Sequence, residues 1–210
     1  MSMLVGLFAA LLAASSLALA VGRRERGVPA QQLVAQIVLA VGALPVAGIW
    51  AGSLFPILVV PATFFTTAVP LAIHDLRTGR MPNWLVAVCG VSTSGAVLVD
   101  AIWRQQWESA LTSLLGAAGF LVFYFLLYIA APGQLGGGDV KLALVAGAVL
   151  GWSGWPSPLY GLFLICLISL GVHFVGLICR KTRERSGDHP HGPAIAIATF
   201  LVSVIPLGFG

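Results

Sequence analysis

The chain has 210 residues, of which 59% are hydrophobic and only 9% are charged, and its formal net charge at pH 7 is +4. This composition excludes an ordinary soluble globular domain and indicates an integral membrane protein embedded in a lipid bilayer. The positive charge does not indicate a nucleic-acid partner, because the Lys and Arg residues lie beside apolar segments, where membrane topology accounts for them.

Eight apolar segments follow one another along the chain, and each comes close to the roughly 20 residues that a helix needs to cross a bilayer. They run approximately over residues 2–22, 31–51, 54–74, 84–103, 109–131, 140–156, 157–179 and 192–209, and the sixth is the shortest. The sequence shows no internal repeat and no separate soluble domain. The predicted fold is therefore all-α: a single polytopic membrane domain over residues 1–210, built as a bundle of about eight transmembrane helices.

The first segment contains "SLALAVG", whose small residues are compatible with a signal-peptide cleavage site. However, no Lys or Arg precedes this segment and "RRER" follows it, so we expect a retained helix with its N-terminus outside. This orientation places ten of the eleven Lys and Arg residues in or beside cytoplasmic loops and leaves Arg104 outside, in agreement with the positive-inside rule. The predicted location is the cytoplasmic (inner) membrane. Tryptophans lie near predicted helix ends, as interfacial anchors do: Trp84, Trp103, Trp107, Trp152 and Trp155.

Two of the predicted cytoplasmic loops contain an aspartate at a helix boundary. "HDLRTGRMPNW" puts Asp75 at the end of the third segment, and "GQLGGGDVK" puts Asp139 at the start of the sixth. Two membrane crossings between them return the chain to the same face, so we expect the two carboxylates at a similar depth. Ionisable residues at such positions inside a bundle indicate a functional site, and each aspartate is the natural partner of the other.

Two carboxylates that share one proton can hydrolyse a peptide bond without a Ser, Cys or His nucleophile. One carboxylate takes a proton from the attacking water, and the other, kept neutral by its charged neighbour, protonates the substrate. Asp139 lies at a helix start, where the helix dipole favours the anion, whereas Asp75 lies at a helix end, where the dipole disfavours it. We therefore predict that Asp139 is the more readily ionised member of the pair.

The glycine run before Asp139 has two interpretations. Gly136, Gly137 and Gly138 leave room for an extended peptide to approach the backbone, and they allow positive φ angles or a hinge. A simpler interpretation is also open, because an aspartate after a glycine run is an ordinary helix cap.

Four further residues in the two loops are candidates for binding substrate or shaping the loops. Arg77 and Lys141 are typical topology anchors, although Lys141 can also stabilise charge near the aspartates. Pro82 and Asn83 are expected to separate the third helix from the fourth, with Asn83 capping the fourth. The four His and three Cys residues have no metal-ligand spacing, so we predict no metal site and no cofactor.

At these two loops the sequence resembles the type IV prepilin peptidases, intramembrane aspartic proteases of the GxGD class. The resemblance rests on "DLRTGRMPNWL" (residues 75–85), on "GGGDVKLALVAGAVLGW" (residues 136–152) and, more loosely, on "HGPAIAIA" (residues 191–198). An aspartate followed by an arginine and a Pro-Asn pair, and then GxGD-Val-Lys-Leu, is a specific combination. Most of the chain lies between or around these blocks, and the predicted number of helices also fits.

The resemblance implies that Asp75 and Asp139 are catalytic and that the substrates are prepilin or pseudopilin precursors. It implies removal of a short basic leader at the cytoplasmic face, typically just after a glycine. Larger family members carry a cytoplasmic insertion with two C-x-x-C pairs that is associated with N-methylation of the trimmed pilin, and the loop at 23–30 is too short to hold it. The chain therefore resembles the compact peptidases of Flp/Tad-type pilus systems, and methyltransferase activity is not expected.

Three alternatives stay open at the level of sequence. A GxGD peptidase of the presenilin and signal-peptide-peptidase group would cleave other single-span substrates, but that group lacks the Pro-Asn block. A transporter or channel subunit would use the aspartates as a proton or cation relay, and would place acidic groups near mid-membrane or on both faces. A catalytically silent component of a pilus machine would have the same helices. The sequence does not indicate an oligomeric state.

Overall fold

The computed structural model describes residues 55–78, 81–132, 135–179 and 191–204, and over these ranges it contains helices and no strands. The six helices are α1 (Phe55–Thr78), α2 (Asn83–Arg104), α3 (Trp107–Ala130), α4 (Gly137–Trp152), α5 (Ser157–Cys179) and α6 (Gly192–Val204). They coincide with the third to eighth predicted segments, which confirms the all-α prediction for this part of the chain. The predicted helices at 2–22 and 31–51, and the orientation of the N-terminus, lie outside the described residues.

Helix α4 is the central helix of the described bundle. It packs against all five of the other helices, and most of its residues are buried, including Leu142, Val149 and Leu150. Its sequence is apolar around its whole circumference apart from Asp139 and Lys141 near its start, as expected for a helix that is surrounded by other helices.

Glycines allow α3 and α4 to pack closely as an antiparallel pair. A Cβ atom added at Gly147 would lie 2.5 Å from the carbonyl oxygen of Gly116, and one added at Gly151 would overlap the carbonyl of Thr112. The Ser113 hydroxyl donates a hydrogen bond of 2.8 Å to the Ala148 carbonyl across the same interface. Small residues and a polar contact of this kind are typical of close helix pairs in membranes, where apolar burial alone gives little driving force.

The outer surface of the described bundle is apolar. Exposed leucine, valine and phenylalanine side chains cover α2, α3 and α5, for example Leu98, Leu114, Phe125 and Phe163. Helices α2 and α3 are long and apolar enough to cross a membrane by length and composition. An apolar exterior around an interior that contains buried aspartates and threonines is the arrangement that a lipid environment favours, and the chain is a membrane protein.

Asp100 lies at the end of the bundle where α2 and α4 finish. Its carboxylate is buried and accepts a 2.7 Å hydrogen bond from the Trp152 indole, and the Arg104 Nε lies 3.6 Å from the same oxygen. The prediction that Trp152 is an interfacial anchor is therefore wrong, because its ring is buried against this carboxylate. Trp103, Trp107 and Trp155 are exposed near this end of the bundle, as predicted for interfacial side chains.

Candidate active site

Asp75 and Asp139 lie at the opposite end of the bundle from Asp100. Asp75 is in the last turn of α1, and Asp139 is in the first turn of α4. Their side chains are only 6% and 7% exposed. Helix α2 runs parallel to α4, because Asn83 lies near Lys141 and Asp100 lies near Trp152. Helix α3 is antiparallel to α4. Helix α2 therefore starts, and α3 ends, at the same end of the bundle as the two aspartates. Both carboxyl groups are thus removed from bulk solvent at one end of the bundle.

Met81 connects the two aspartate-bearing segments. A Cβ atom added at Gly138, next to Asp139, would lie 2.6 Å from the Met81 Cβ and 3.3 Å from its Sδ. A Cβ atom added at Gly192 would overlap the Met81 methyl group and lie 3.0 Å from the Asp75 Oδ2. The methionine side chain therefore extends from the glycine beside Asp139 to the glycine beside the Asp75 carboxyl group.

The backbone around Asp139 differs from the sequence prediction. The helix was expected to start at residue 140, but α4 begins at Gly137 and Asp139 is its third residue. The Asp139 Oδ2 accepts a 3.2 Å hydrogen bond from the Gly136 N–H, which satisfies one of the free amide groups of the helix start. Glycine is a poor helix former, but an aspartate in the first turn is favoured by the helix dipole and offsets part of that cost.

The glycine run does not use positive φ angles, in contrast to one of the possibilities raised by the sequence. Gly136 is extended, with φ −76° and ψ 144°, and Gly137 and Gly138 belong to the helix. Among the described glycines, Gly154 has a positive φ. Gly138 is required instead for close approach, because Met81 fills the space where a side chain would be, whereas the space beside Gly137 is open.

Lys141 and Asn83 join the two sequence blocks directly. The Lys141 Nζ donates a 2.8 Å hydrogen bond to the Asn83 Oδ1, which ties the start of α4 to the start of α2. The prediction that Asn83 caps α2 is wrong, because Pro82 occupies the N-cap position and its carbonyl accepts the N–H groups of Leu85 and Val86. Of the other candidate residues, the Arg77 side chain lies outside the described part of the structure.

Helices α3, α5 and α6 also contribute side chains to this part of the bundle. His191 directly precedes α6, and its Nδ1 lies 3.3 Å from the Ser169 Oγ on α5. Tyr124 on α3 is buried within electrostatic range of Asp139. Met81 and Tyr124 were not identified from the sequence, because nothing in a local pattern shows which side chains lie near the aspartates in the folded chain. Among the described residues, no group of three His, Cys, Asp or Glu side chains is placed to hold a metal ion.

Comparison with known proteins gives the family context of this site. The sequence model of the type IV leader peptidase family matches residues 62–179, which include both aspartates, all of α4 and most of α1. Leader peptidase HopD from Escherichia coli is 28% identical to this chain in an alignment of 145 positions that covers 64% of this chain and 85% of HopD. No solved structure matches the chain. Because the family match covers more than half of the sequence, the chain belongs to the type IV leader peptidase family.

Proposed function

We propose that this protein is an intramembrane aspartic endopeptidase that removes the basic leader from type IV prepilin-like precursors, with Asp75 and Asp139 as its catalytic pair. The observation that carries the proposal is the burial of both aspartates at one end of the bundle, where Met81 contacts the glycines beside each of them. Membership of a leader peptidase family supports the reaction class. Placement of the two carboxyl groups supports the choice of catalytic residues.

In the proposed reaction, one carboxylate accepts a proton from a water molecule while the water oxygen attacks the scissile carbonyl carbon. The protonated carboxyl group donates its proton to the carbonyl oxygen, which gives a neutral tetrahedral intermediate. When the C–N bond breaks, the carboxyl group that took the proton from water passes it to the leaving amine nitrogen. The other carboxylate takes a proton from a hydroxyl of the intermediate as the carbonyl forms again in a carboxylic acid. The pair ends the cycle with one proton, as it began, so the residues alone can support turnover.

The proposed reaction needs one proton that is shared between the two aspartates. Two buried carboxyl groups close to one another cannot both ionise easily, because burial and mutual repulsion both disfavour a second negative charge. Asp139 accepts a backbone hydrogen bond at a helix start, which stabilises its anion. Asp75 is near a helix C-terminus, which disfavours its anion. We therefore assign the proton-accepting role toward water to Asp139 and the proton-donating role to Asp75.

The finer features of the proposed function come from the sequence. The distribution of Lys and Arg residues supports an inner-membrane, multi-pass protein with its active site facing the cytoplasm. The short loop at 23–30 supports a compact Flp/Tad-type peptidase without N-methyltransferase activity. Prepilin or pseudopilin precursors are then the partners, and they would approach the site from within the bilayer plane.

An ion relay is less well supported by the described residues. A relay needs ionisable groups that a proton or cation can reach in sequence across the bundle. Asp100, the buried carboxylate at the far end, already binds the Trp152 indole and lies beside Arg104. The Asp100 carboxylate therefore already has a hydrogen-bond donor and a cationic neighbour, and this arrangement favours a structural role over proton or cation transfer.

The proposal is tested by co-expressing the full chain with a type IV prepilin in a host that lacks prepilin peptidases. We expect the wild-type chain to release the leader, with the new N-terminus identified by mass spectrometry, and we expect Asp75→Asn and Asp139→Asn to abolish release. Asp100→Asn is the matched control, since it removes an equally buried carboxylate at the other end and should leave cleavage detectable. Cleavage that persists in both Asp75→Asn and Asp139→Asn would show that the pair is not catalytic.

A further inference from the structure

We propose that Met81 is a displaceable side chain that closes the space between the two aspartate-bearing segments in the resting protein, and that a substrate peptide must move it to reach the carboxyl groups. The inference rests on the proposed peptidase function and adds a positioning residue for it. It gives the chain a built-in occupant of its own substrate site.

The contacts of Met81 place its side chain over the glycines that lie beside the two aspartates. Its Cβ and Sδ pack on Gly138, and its methyl group packs on Gly192 beside the Asp75 Oδ2. Backbone without side chains is the surface that an extended peptide can approach most closely. Met81 now covers that surface at both glycines, so peptide and methionine compete for the same two contacts.

The position and chemistry of Met81 allow it to move. Met81 lies between α1 and α2, so its side chain can change rotamer without unwinding either helix. It is only partly buried and packs on the edge of the core, which leaves a direction in which to withdraw. Methionine has three rotatable side-chain bonds and a polarizable sulfur, so it adapts to alternative packing at low cost. Pro82 restricts the backbone that follows, and motion is therefore expected mainly in the side chain.

A fixed spacer is the competing interpretation of the same contacts. A spacer would hold the segments of Gly138 and Gly192 at a constant separation, and it would stay in place when substrate binds. Removal of a spacer would disturb the aspartates and lower kcat. Removal of a displaceable occupant would instead ease binding and lower KM, because the peptide would no longer replace packed contacts.

Methyl NMR can follow Met81 directly, because the chain contains three methionines and the other two are Met1 and Met3. The sample is the full chain with Asp139→Asn, which is labelled with 13C at the methionine methyl groups and held in lipid nanodiscs. It is titrated with a synthetic peptide that spans the leader and the cleavage site of a prepilin that the wild type cleaves. Met81→Leu assigns the signal. We expect the Met81 methyl resonance to shift as the peptide binds while those of Met1 and Met3 stay unchanged. A Met81 resonance that stays in place at saturating peptide would overturn the inference.

Kinetics of purified variants provide the second measurement. Met81→Ala should lower KM about threefold to tenfold with kcat within about twofold of wild type, because the contacts that substrate must displace are gone. Met81→Leu, which is flexible and of similar volume, should stay near the wild type, whereas the β-branched Met81→Ile should raise KM because it is stiffer. A lowered kcat in Met81→Ala that Met81→Leu restores would identify a spacer and contradict the proposal. A wild type that does not cleave prepilin would instead refute the proposed function itself.

Discussion

Replacing Gly116 with alanine tests whether the close packing of α3 on α4 holds the central helix in place. The added Cβ atom would overlap the Gly147 carbonyl oxygen and lie 3.0 Å from the Gly151 Cα. Both neighbours are backbone atoms of α4, which cannot rotate away as a side chain could. The two helices must therefore move apart along the interface that also contains the Ser113 hydrogen bond.

The size of the effect follows from a matched glycine on the same helix. Gly119 lies one turn further along α3, and a Cβ atom added there meets nothing within 4 Å. Alanine in place of glycine favours a helix by about 0.5–1 kcal/mol at either position. This gain is common to both variants. The difference between the free energies of unfolding of Gly116→Ala and Gly119→Ala therefore gives the cost of overpacking alone, which is about 1–3 kcal/mol.

The free energies of unfolding can be compared in mixed detergent micelles by titration with a denaturing detergent. We expect Gly119→Ala to be at least as stable as the wild type and Gly116→Ala to be less stable than Gly119→Ala by the overpacking cost. Gly116→Ala should also lower peptidase activity, because α4 carries Asp139. Equal stability of the two variants would refute the claim that α3 and α4 pack with their backbones in contact.

Three further predictions concern the two ends of the bundle. Trp152→Phe removes the indole donor of the buried Asp100 and should lower the free energy of unfolding by about 1–3 kcal/mol; an unchanged thermal midpoint would contradict the buried hydrogen bond. Lys141→Ala and Asn83→Ala should show a coupling of about 0.5–1 kcal/mol in a double-mutant cycle, because one exposed hydrogen bond is lost in each, and strictly additive effects would argue against that contact. Leader removal should have a bell-shaped pH profile, since the active pair carries one proton and is inactive with two or none, and a rate that rises steadily with pH would argue against a shared proton.

The positions of the described helices could be predicted from the sequence because lipid imposes a strong length and hydropathy constraint. The predicted segments 84–103 and 157–179 agree with α2 and α5 within one residue at each end. The start of α4 was placed three residues too late, because Gly137 and Gly138 disfavour helix locally while the surrounding helices and the Asp139 carboxylate favour it. The close packing of α3 and α4 was also missed, although the Gly147-x-x-x-Gly151 spacing is a known signal for it.

The location of Asp75 and Asp139 at one end of the bundle could be predicted from the sequence, because counting membrane crossings brings both residues to one face. The structure places both at one end of the described bundle, whereas their catalytic role stays a prediction. The contacts around them could not be predicted in the same way. Asn83 looks like a helix cap from its neighbours alone, but its side chain binds Lys141, which is 58 residues away in the chain. Met81 precedes a proline in a loop, and only the folded chain shows that its side chain lies between Gly138 and Gly192.

The central claim is that Asp75 and Asp139 act together as one catalytic unit. The most direct test is the rate of leader removal from a purified prepilin by the purified, lipid-reconstituted wild type, Asp75→Asn, Asp139→Asn, the double variant and Asp100→Asn. If the two residues form one unit, each single substitution removes activity to the same background and the double variant is no slower than either. Asp100→Asn retains cleavage. Substantial activity in either single variant, or losses that multiply in the double variant, would contradict the claim.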